Sequence, residues 1–158
     1  EQCRRYGATG PVARGSAIDY DVRKNEPYSV YPEFDFDVPV YTEGDSMARY
    51  MVRMDEIEQS LRIIEQALDK LPDGPVMAKV PKILKADAGT SYAAVETARG
   101  SLGHRLVTDG GKNPYRLKLR SPTFCNLSLF GEVAEGMMIA DALATLGSLD
   151  LVIPEIDR

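Results

Sequence analysis

The 158-residue sequence predicts an α+β fold, and three observations lead to it. One long stretch repeats its apolar residues at steps of three and four, a later stretch switches to steps of two between glycine-rich turns, and the chain finishes in a small-residue-rich helix and an apolar tail. At 44% hydrophobic and 27% charged residues, the composition is that of an ordinary globular chain able to bury a core without disulfides or a structural metal.

Residues 1–44 are loop-rich, punctuated by Gly10-Pro11, Pro27, Pro32 and Pro39, with an alternation at Phe34, Phe36 and Val38 that would suit a strand. Tyr20, Tyr28, Tyr31, Phe34 and Phe36 supply enough apolar surface to lay this segment over other structure as a wrapping strap. Residues 45–72 predict a long amphipathic helix. Met47, Tyr50, Met51, Met54, Ile57, Leu61, Ile64, Leu68 and Leu71 recur at the helical period, Gly44-Asp45-Ser46 provides an N-cap, and Pro72-Asp73-Gly74-Pro75 stops it. The methionines are expected in the core. The charged side with Arg49, Arg53, Glu56 and Arg62 is expected at a solvated surface or subunit contact.

Beyond a Lys/Pro-rich linker around residues 79–85, residues 90–121 predict a small antiparallel sheet with strands at 92–97, 102–108 and 115–121 and turns at Arg99-Gly100-Ser101 and Asp109-Gly110-Gly111-Lys112. In the last strand Tyr115, Leu117 and Leu119 alternate with Arg116, Lys118 and Arg120, giving one apolar face and one row of cations. Residues 129–158 predict a helix from about Glu132 to Leu146 and an apolar tail. Gly136, Ala140, Ala144 and Gly147 permit close backbone approach along it.

Charge and motif inventory exclude several classes. A nucleic-acid role is open to Arg105, Lys112, Arg116, Lys118 and Arg120, but no aromatic platform interleaves them and the net charge of -5 opposes it; an acidic neighbour is the better account. Cys3 and Cys125 lie far apart with no histidine pair nearby, and His104 is the one histidine, so reduced thiols and no zinc site are expected. There is no signal-peptide pattern, and the window 137–153 is too interrupted by Asp141, Gly147 and Asp150 to span a bilayer. No P-loop, dinucleotide fingerprint or nucleophile elbow occurs, and the glycines of 7–10 and 100–103 read as turn residues.

Ordered motifs carry more. Thr9-Gly10-Pro11-Val12-Ala13-Arg14-Gly15-Ser16, Asp19-Tyr20-Asp21-Val22-Arg23-Lys24, Glu43-Gly44-Asp45 with Arg49-Tyr50, and Gln59-Ser60-Leu61-Arg62 resemble the 49 kDa subunit family of the proton-pumping NADH:quinone oxidoreductase, respiratory complex I. So do Glu96 with Arg99-Gly100-Ser101-Leu102-Gly103, Tyr115-Arg116-Leu117-Lys118-Leu119-Arg120-Ser121-Pro122, and the ending Leu149-Asp150-Leu151-Val152 with Glu155-Ile156-Asp157-Arg158. The resemblance runs over essentially the whole chain and implies the C-terminal part of such a subunit, whose family is related to the large subunit of nickel-iron hydrogenases. In that relative the ending has the form Asp-Pro-Cys-x-x-Cys-x-x-His, whose thiolates bind the metals. Here Asp150 is kept, Leu151 replaces the proline, Val152 and Glu155 occupy the cysteine positions and Arg158 the histidine position, so no metal site is expected.

The resemblance further implies a quinone pocket to which Asp150, Leu151, Val152 and Phe124 contribute, with Arg99 as a pocket or structural residue and no catalytic residue in this chain. For Asp150 a local cap or arginine pair competes with that role. The resemblance implies no cofactor bound by the chain itself, with quinone as substrate and the iron-sulfur cluster, FMN and NADH in partner subunits. The partners it implies are peripheral-arm subunits, including the iron-sulfur subunit, and a membrane subunit at the quinone channel. The location it implies is peripheral, on the cytoplasmic side of the bacterial inner membrane. A related membrane-bound complex with another electron donor, and a non-catalytic assembly module, are the alternatives. Ala17 stands where a glycine is common in the family and Ala48 where an aspartate is, and the long helix and strands are expected to bare apolar faces to parts of a longer subunit.

Overall fold

A computed structural model of the chain describes residues 1–83 and 85–157. Three one-turn helices open it: α1 (Gln2–Arg5), α2 (Pro11–Arg14) and α3 (Val22–Asn25). They are followed by the long helix α4 (Ser46–Asp69), by strands β1 (Gly89–Thr97), β2 (Gly100–Thr108) and β3 (Arg116–Arg120), and by helices α5 (Pro122–Ser128), α6 (Phe130–Val133), α7 (Ile139–Ser148) and α8 (Ile153–Ile156). The architecture is α+β, as expected. The sheet is antiparallel in the order β1-β2-β3, and the β1–β2 hairpin turns through Ala98 and Arg99, with Thr97 paired to Gly100.

The opening segment, read from the sequence as a wrapping strap, lies partly along α4 and also enters the core. It supplies much of the deepest burial: Val12, Ala13, Arg14, Asp21, Val22 and Phe36. Proline at the first position of α2 and the Asp21 side chain accepting from the Arg23 amide start these helical turns locally. Phe34 and Phe36 do not form a strand. Side chains of α4 take the place of a neighbouring strand, Gln66 Oε1 accepting from the Asp35 amide at 2.8 Å and Gln59 Oε1 from the Asp37 amide at 2.9 Å.

Helix α4 runs 24 residues, capped by Asp45, whose Oδ1 accepts from the Ala48 amide. Its burial inverts the expectation. Ala48, Arg49 and Val52 are inside, whereas Met47, Tyr50, Met54, Ile57, Leu61, Ile64, Leu68 and Leu71 are 43–73% exposed. The reason is length: α4 reaches about 36 Å, and the next-longest helix among the described residues, α7, has 10 residues. Among the described residues α2 and α7 cover the polar side of α4, and no element is long enough to cover the other side.

The helix expected from about Glu132 to Leu146 is also shorter, as α7. It begins at Ile139, because Gly136 takes a left-handed φ of 78° and separates it from the one-turn α6. Leu149, just past α7, joins Cys3, Val12 and Leu129 in the apolar core, and Leu151 packs against that cluster.

Candidate functional site

The sequence treats Gly10 and Gly100 as turn residues, but the structure presses them together. A Cβ on Gly10 would fall 2.4 Å from the Arg99 carbonyl oxygen, and one on Gly100 would fall 2.5 Å from the Gly10 nitrogen; both have positive φ. Buried Asn126 ties the crossing from α5, accepting from the Thr9 amide at 3.1 Å and donating to the Arg99 carbonyl at 3.3 Å. Thr9 Oγ1 accepts from the Ser101 amide at 2.9 Å. The hairpin turn is thus fixed by residues far away in sequence, and its Arg99 is aimed at a set place.

That place is Asp150. Arg99 Nε lies 3.2 Å from Asp150 Oδ2 and Nη2 donates to Oδ1 at 3.3 Å, while Asp150 sits in the left-handed region at φ 53° immediately past α7. Two further arginines crowd the same helix end: Arg49 Nε donates to Ser148 Oγ at 2.9 Å, and Arg53 Nη2 to the Ser148 carbonyl at 2.8 Å. Cations there satisfy the carbonyls that a helix C-terminus leaves open and meet its negative dipole end. Burial holds both Arg49 and Arg53 below the ordinary arginine value, and their mutual charge adds to the effect on Arg49.

A cleft of about 430 Å³ opens beside Asp150, lined also by Arg14, Arg23, Arg53, Glu56, Glu96 and Thr97. Its floor is a buried ion cluster. Arg14, with a side chain 1% exposed, lies 2.9 Å from Glu96, 3.5 Å from Asp21 and 2.5 Å from Glu56, and Arg23 closes on Asp21 at 2.6 Å. Burial works against the charge on Arg14, but the carboxylates of Glu56, Glu96 and Asp21 outweigh it and raise its pKa. For Asp21 burial pushes upward, yet the hydrogen bond and charge of Arg23, with Arg14 behind, bring it below its ordinary value. Glu96 goes the other way: burial raises it, and Arg14 only partly offsets that. Arg14 Nε, Arg53 Nε and Glu56 Oε1 are buried without an aligned hydrogen-bond partner, so the cleft keeps unspent polar capacity.

The residues expected at a pocket are therefore divided. Arg99 pairs with Asp150, which lines the cleft and is 39% exposed, while Arg99 itself is not among the lining residues. Leu151 turns toward the apolar core, and Val152 is half-buried as it leads into α8. Phe124 is 58% exposed on α5, which packs against α8 and is not among the residues lining the cleft. Glu155, at the former cysteine position, has its carboxylate engaged by the Thr123 hydroxyl and amide at the start of α5. Arg158 lies outside the described residues. Among those residues no group of three or more His, Cys, Asp or Glu side chains is placed to hold a metal ion, and no helix is long and apolar enough to cross a membrane.

Sequence reasoning alone misses the Arg14–Asp21–Glu56–Glu96 cluster as a unit. Arg14 stands 82 residues from Glu96, so no local spacing signals the pair; the only hint is an arginine among the small and apolar residues Pro11, Val12, Ala13 and Gly15.

This is an α+β unit built around one arginine-carboxylate cleft, and its relatives say of what kind. The family model described as the 49 Kd subunit of respiratory-chain NADH dehydrogenase matches residues 1–88 and 83–158, and the chain belongs to that family. An NADH-quinone oxidoreductase subunit of Desulfotalea psychrophila is 76% identical over 100% of this chain and 43% of its own length. The like-named subunit of Opitutus terrae is 61% identical over 100% of this chain and 40% of its own, and that of Syntrophobacter fumaroxidans 55% over 100% and 43%. The chain thus spans less than half the length of these curated relatives.

Proposed function

We propose that this chain is part of the quinone-site subunit of a proton-translocating NADH:quinone oxidoreductase, and that the strip Asp150, Leu151 and Val152, with Phe124 and Arg99, contributes to the wall against which the quinone headgroup is reduced. One observation carries the reading: in a chain matching this family end to end, Asp150 lines the cleft and forms a partly exposed ion pair with Arg99. Pockets for small cofactors combine apolar walls with few fixed polar groups; the Arg99–Asp150 pair would supply the second, and Val152 and Phe124, which do not line the cleft itself, would extend an apolar wall beyond it.

Quinone reduction to quinol takes two electrons and two protons, and the electrons would come from an iron-sulfur cluster in a neighbouring subunit. The part left to this chain is binding and orientation. Arg99 keeps the Asp150 carboxylate turned into the cleft, where an outer lone pair can accept a hydrogen bond. The Gly10–Gly100 crossing holds the Arg99 backbone against the pull of solvent. Metal-dependent hydrogenase chemistry is opposed by the side chains at the former cysteine positions, Val152 and Glu155, the latter committed to Thr123.

In this reading the subunit works peripherally on the cytoplasmic side of the membrane, beside an iron-sulfur subunit and above a membrane subunit at the quinone channel. A related complex fed by another electron donor would use the same wall. Purifying the full-length parent protein from its membranes separates the two, since only the NADH-driven complex carries a flavin-bearing NADH subunit. Asp150→Asn and Val152→Met in that full-length protein are expected to change quinone or inhibitor affinity several-fold at normal complex levels; unchanged inhibitor sensitivity in both would remove the wall from this strip.

A further inference from the structure

One face of the sheet is treated in two ways along its length. Cross-strand register puts Tyr92, Arg105 and Lys118 side by side, and Gly103 beside Arg120, so these residues share a face with Arg116 and, further along, Glu96. At the covered end the charges are answered within the chain: Glu96 holds Arg14, and Arg120 donates to the carbonyls of Gly7 at 2.8 Å and Ser101 at 3.1 Å. At the open end none of the ion pairs among the described residues takes Arg105, Arg116 or Lys118, although the protein carries a net charge of -5.

Arg105 and Lys118 stand directly opposite on adjacent strands, an arrangement that repels. The surface there is concave. A hollow of about 480 Å³ lined by Tyr92, Gly103, Arg105, Lys118 and Arg120 adjoins a second of about 190 Å³ lined by Arg105, Val107, Arg116 and Lys118, the two sharing Arg105 and Lys118. Gly103 keeps the first open beneath the Tyr92 ring, since a Cβ there would fall 2.6 Å from the Tyr92 hydroxyl.

We propose that this trough docks an acidic, extended segment of a neighbouring protein subunit. Arg116 and Lys118 stand two residues apart, a spacing of roughly 6.8 Å, which is the repeat of carboxylates on alternate residues of an extended chain, and Arg105 beside Lys118 adds a third cation unpaired among the described residues. A trough fits such a row better than a flat anionic bilayer does, and because the net negative charge of the chain repels every anionic partner at long range, short-range matching in the trough chooses the partner. The surface is separate from the Arg99–Asp150 cleft and independent of which electron donor feeds the complex.

Carbodiimide coupling of the intact parent complex, purified with its partners from its own membranes, tests this directly. The expected product is an amide between Lys118 Nζ and an Asp or Glu of a different polypeptide, located by mass spectrometry. Lys118→Glu in the full-length subunit should lower recovery of that same partner at least fivefold, while Lys118→Arg retains it. Because Lys118→Glu relieves the repulsion with Arg105, the sheet should survive the change; the acetylation footprint of the unaltered complex supplies a second readout that needs no variant. Lys118 acetylated in the complex as fully as in the denatured chain would overturn the proposal, and so would Lys118-dependent binding of the full-length subunit to phosphatidylglycerol vesicles with no cross-link to protein.

Discussion

The two sides of α4 differ in a way that hydropathy alone does not anticipate. On one side Arg49, Arg53 and Glu56 are drawn into the protein, where they meet Ser148, the end of α7 and Arg14. On the other, eight large apolar residues from Met47 to Leu71, spaced alternately three and four apart, face outward. That spacing is the 3.5-residue repeat of a helix seam. What decides burial is which partner the chain has to offer. A guanidinium with three carboxylates around it can go inside, whereas an apolar stripe stays bare until something of equal length lies on it. The relatives are more than twice as long as this chain, and substitutions on the stripe in the short and the full-length chain measure whether additional chain covers it.

The sharpest way to break the comparison is at Arg14. Removing one partner of a buried pair strands the rest, so Arg14→Ala in the full-length subunit should lose about 3–5 kcal/mol, leaving Asp21, Glu56 and Glu96 mutually repelling. The exposed counterpart is Arg62, whose bridges to Asp35 and Asp37 lie in solvent, and Arg62→Ala should lose less than about 1 kcal/mol. Urea unfolding of the two variants checks the ratio. Equal losses would mean that the cluster is solvated and the inward side of α4 is not special.

Titration sharpens the same contrast within the cluster. Asp21 sits below its ordinary 3.8, so the stability it lends is present above that pH and lost as pH falls through its folded-state value. Glu96 sits above its ordinary 4.5, so its contribution is present below that pH and lost as pH rises through its folded-state value. Unfolding free energies measured from pH 3 to pH 6 should therefore lose part of their acid limb in Asp21→Asn and part of their decline above 4.5 in Glu96→Gln. An unchanged slope in the second variant would contradict the burial of Glu96.

Much of this is legible in sequence because it is local. The α4 cap at Asp45, the strand alternation ending at Arg120 and the turn before β3 depend on neighbours a few residues apart. The cleft is legible only through resemblance, which names Arg99 and Asp150 without their pairing, 51 residues apart. Nothing local distinguishes a glycine in a turn from one crossing another backbone, and so Gly10 and Gly100 pass for turn residues. Ala17 is the reverse case. Its departure from a commonly glycine position is visible, and the structure supplies the reason, a left-handed φ of 61°. Ala17→Gly should gain about 1 kcal/mol by relieving the Cβ conflict, read as a rise in the unfolding midpoint; a loss would mean that the Ala17 methyl packs well enough to outweigh the strain.

The smallest expected effect tests the bare side of α4, and its size depends on what surrounds the helix. Leu61 and Leu68 are 56% and 68% exposed. Replacing both with glutamate in the 158-residue chain should move unfolding by no more than about 0.5 kcal/mol, the range for surface sites, and should reduce self-association by breaking the apolar patch. In the full-length subunit a loss of several kcal/mol is expected from the same pair of changes, because additional chain lying on the stripe would bury both carboxylates. The difference between the two measurements isolates the cover from the helix. If the short chain loses as much as the long one, the stripe is already packed on this chain, and the burial of α4 would follow hydropathy after all.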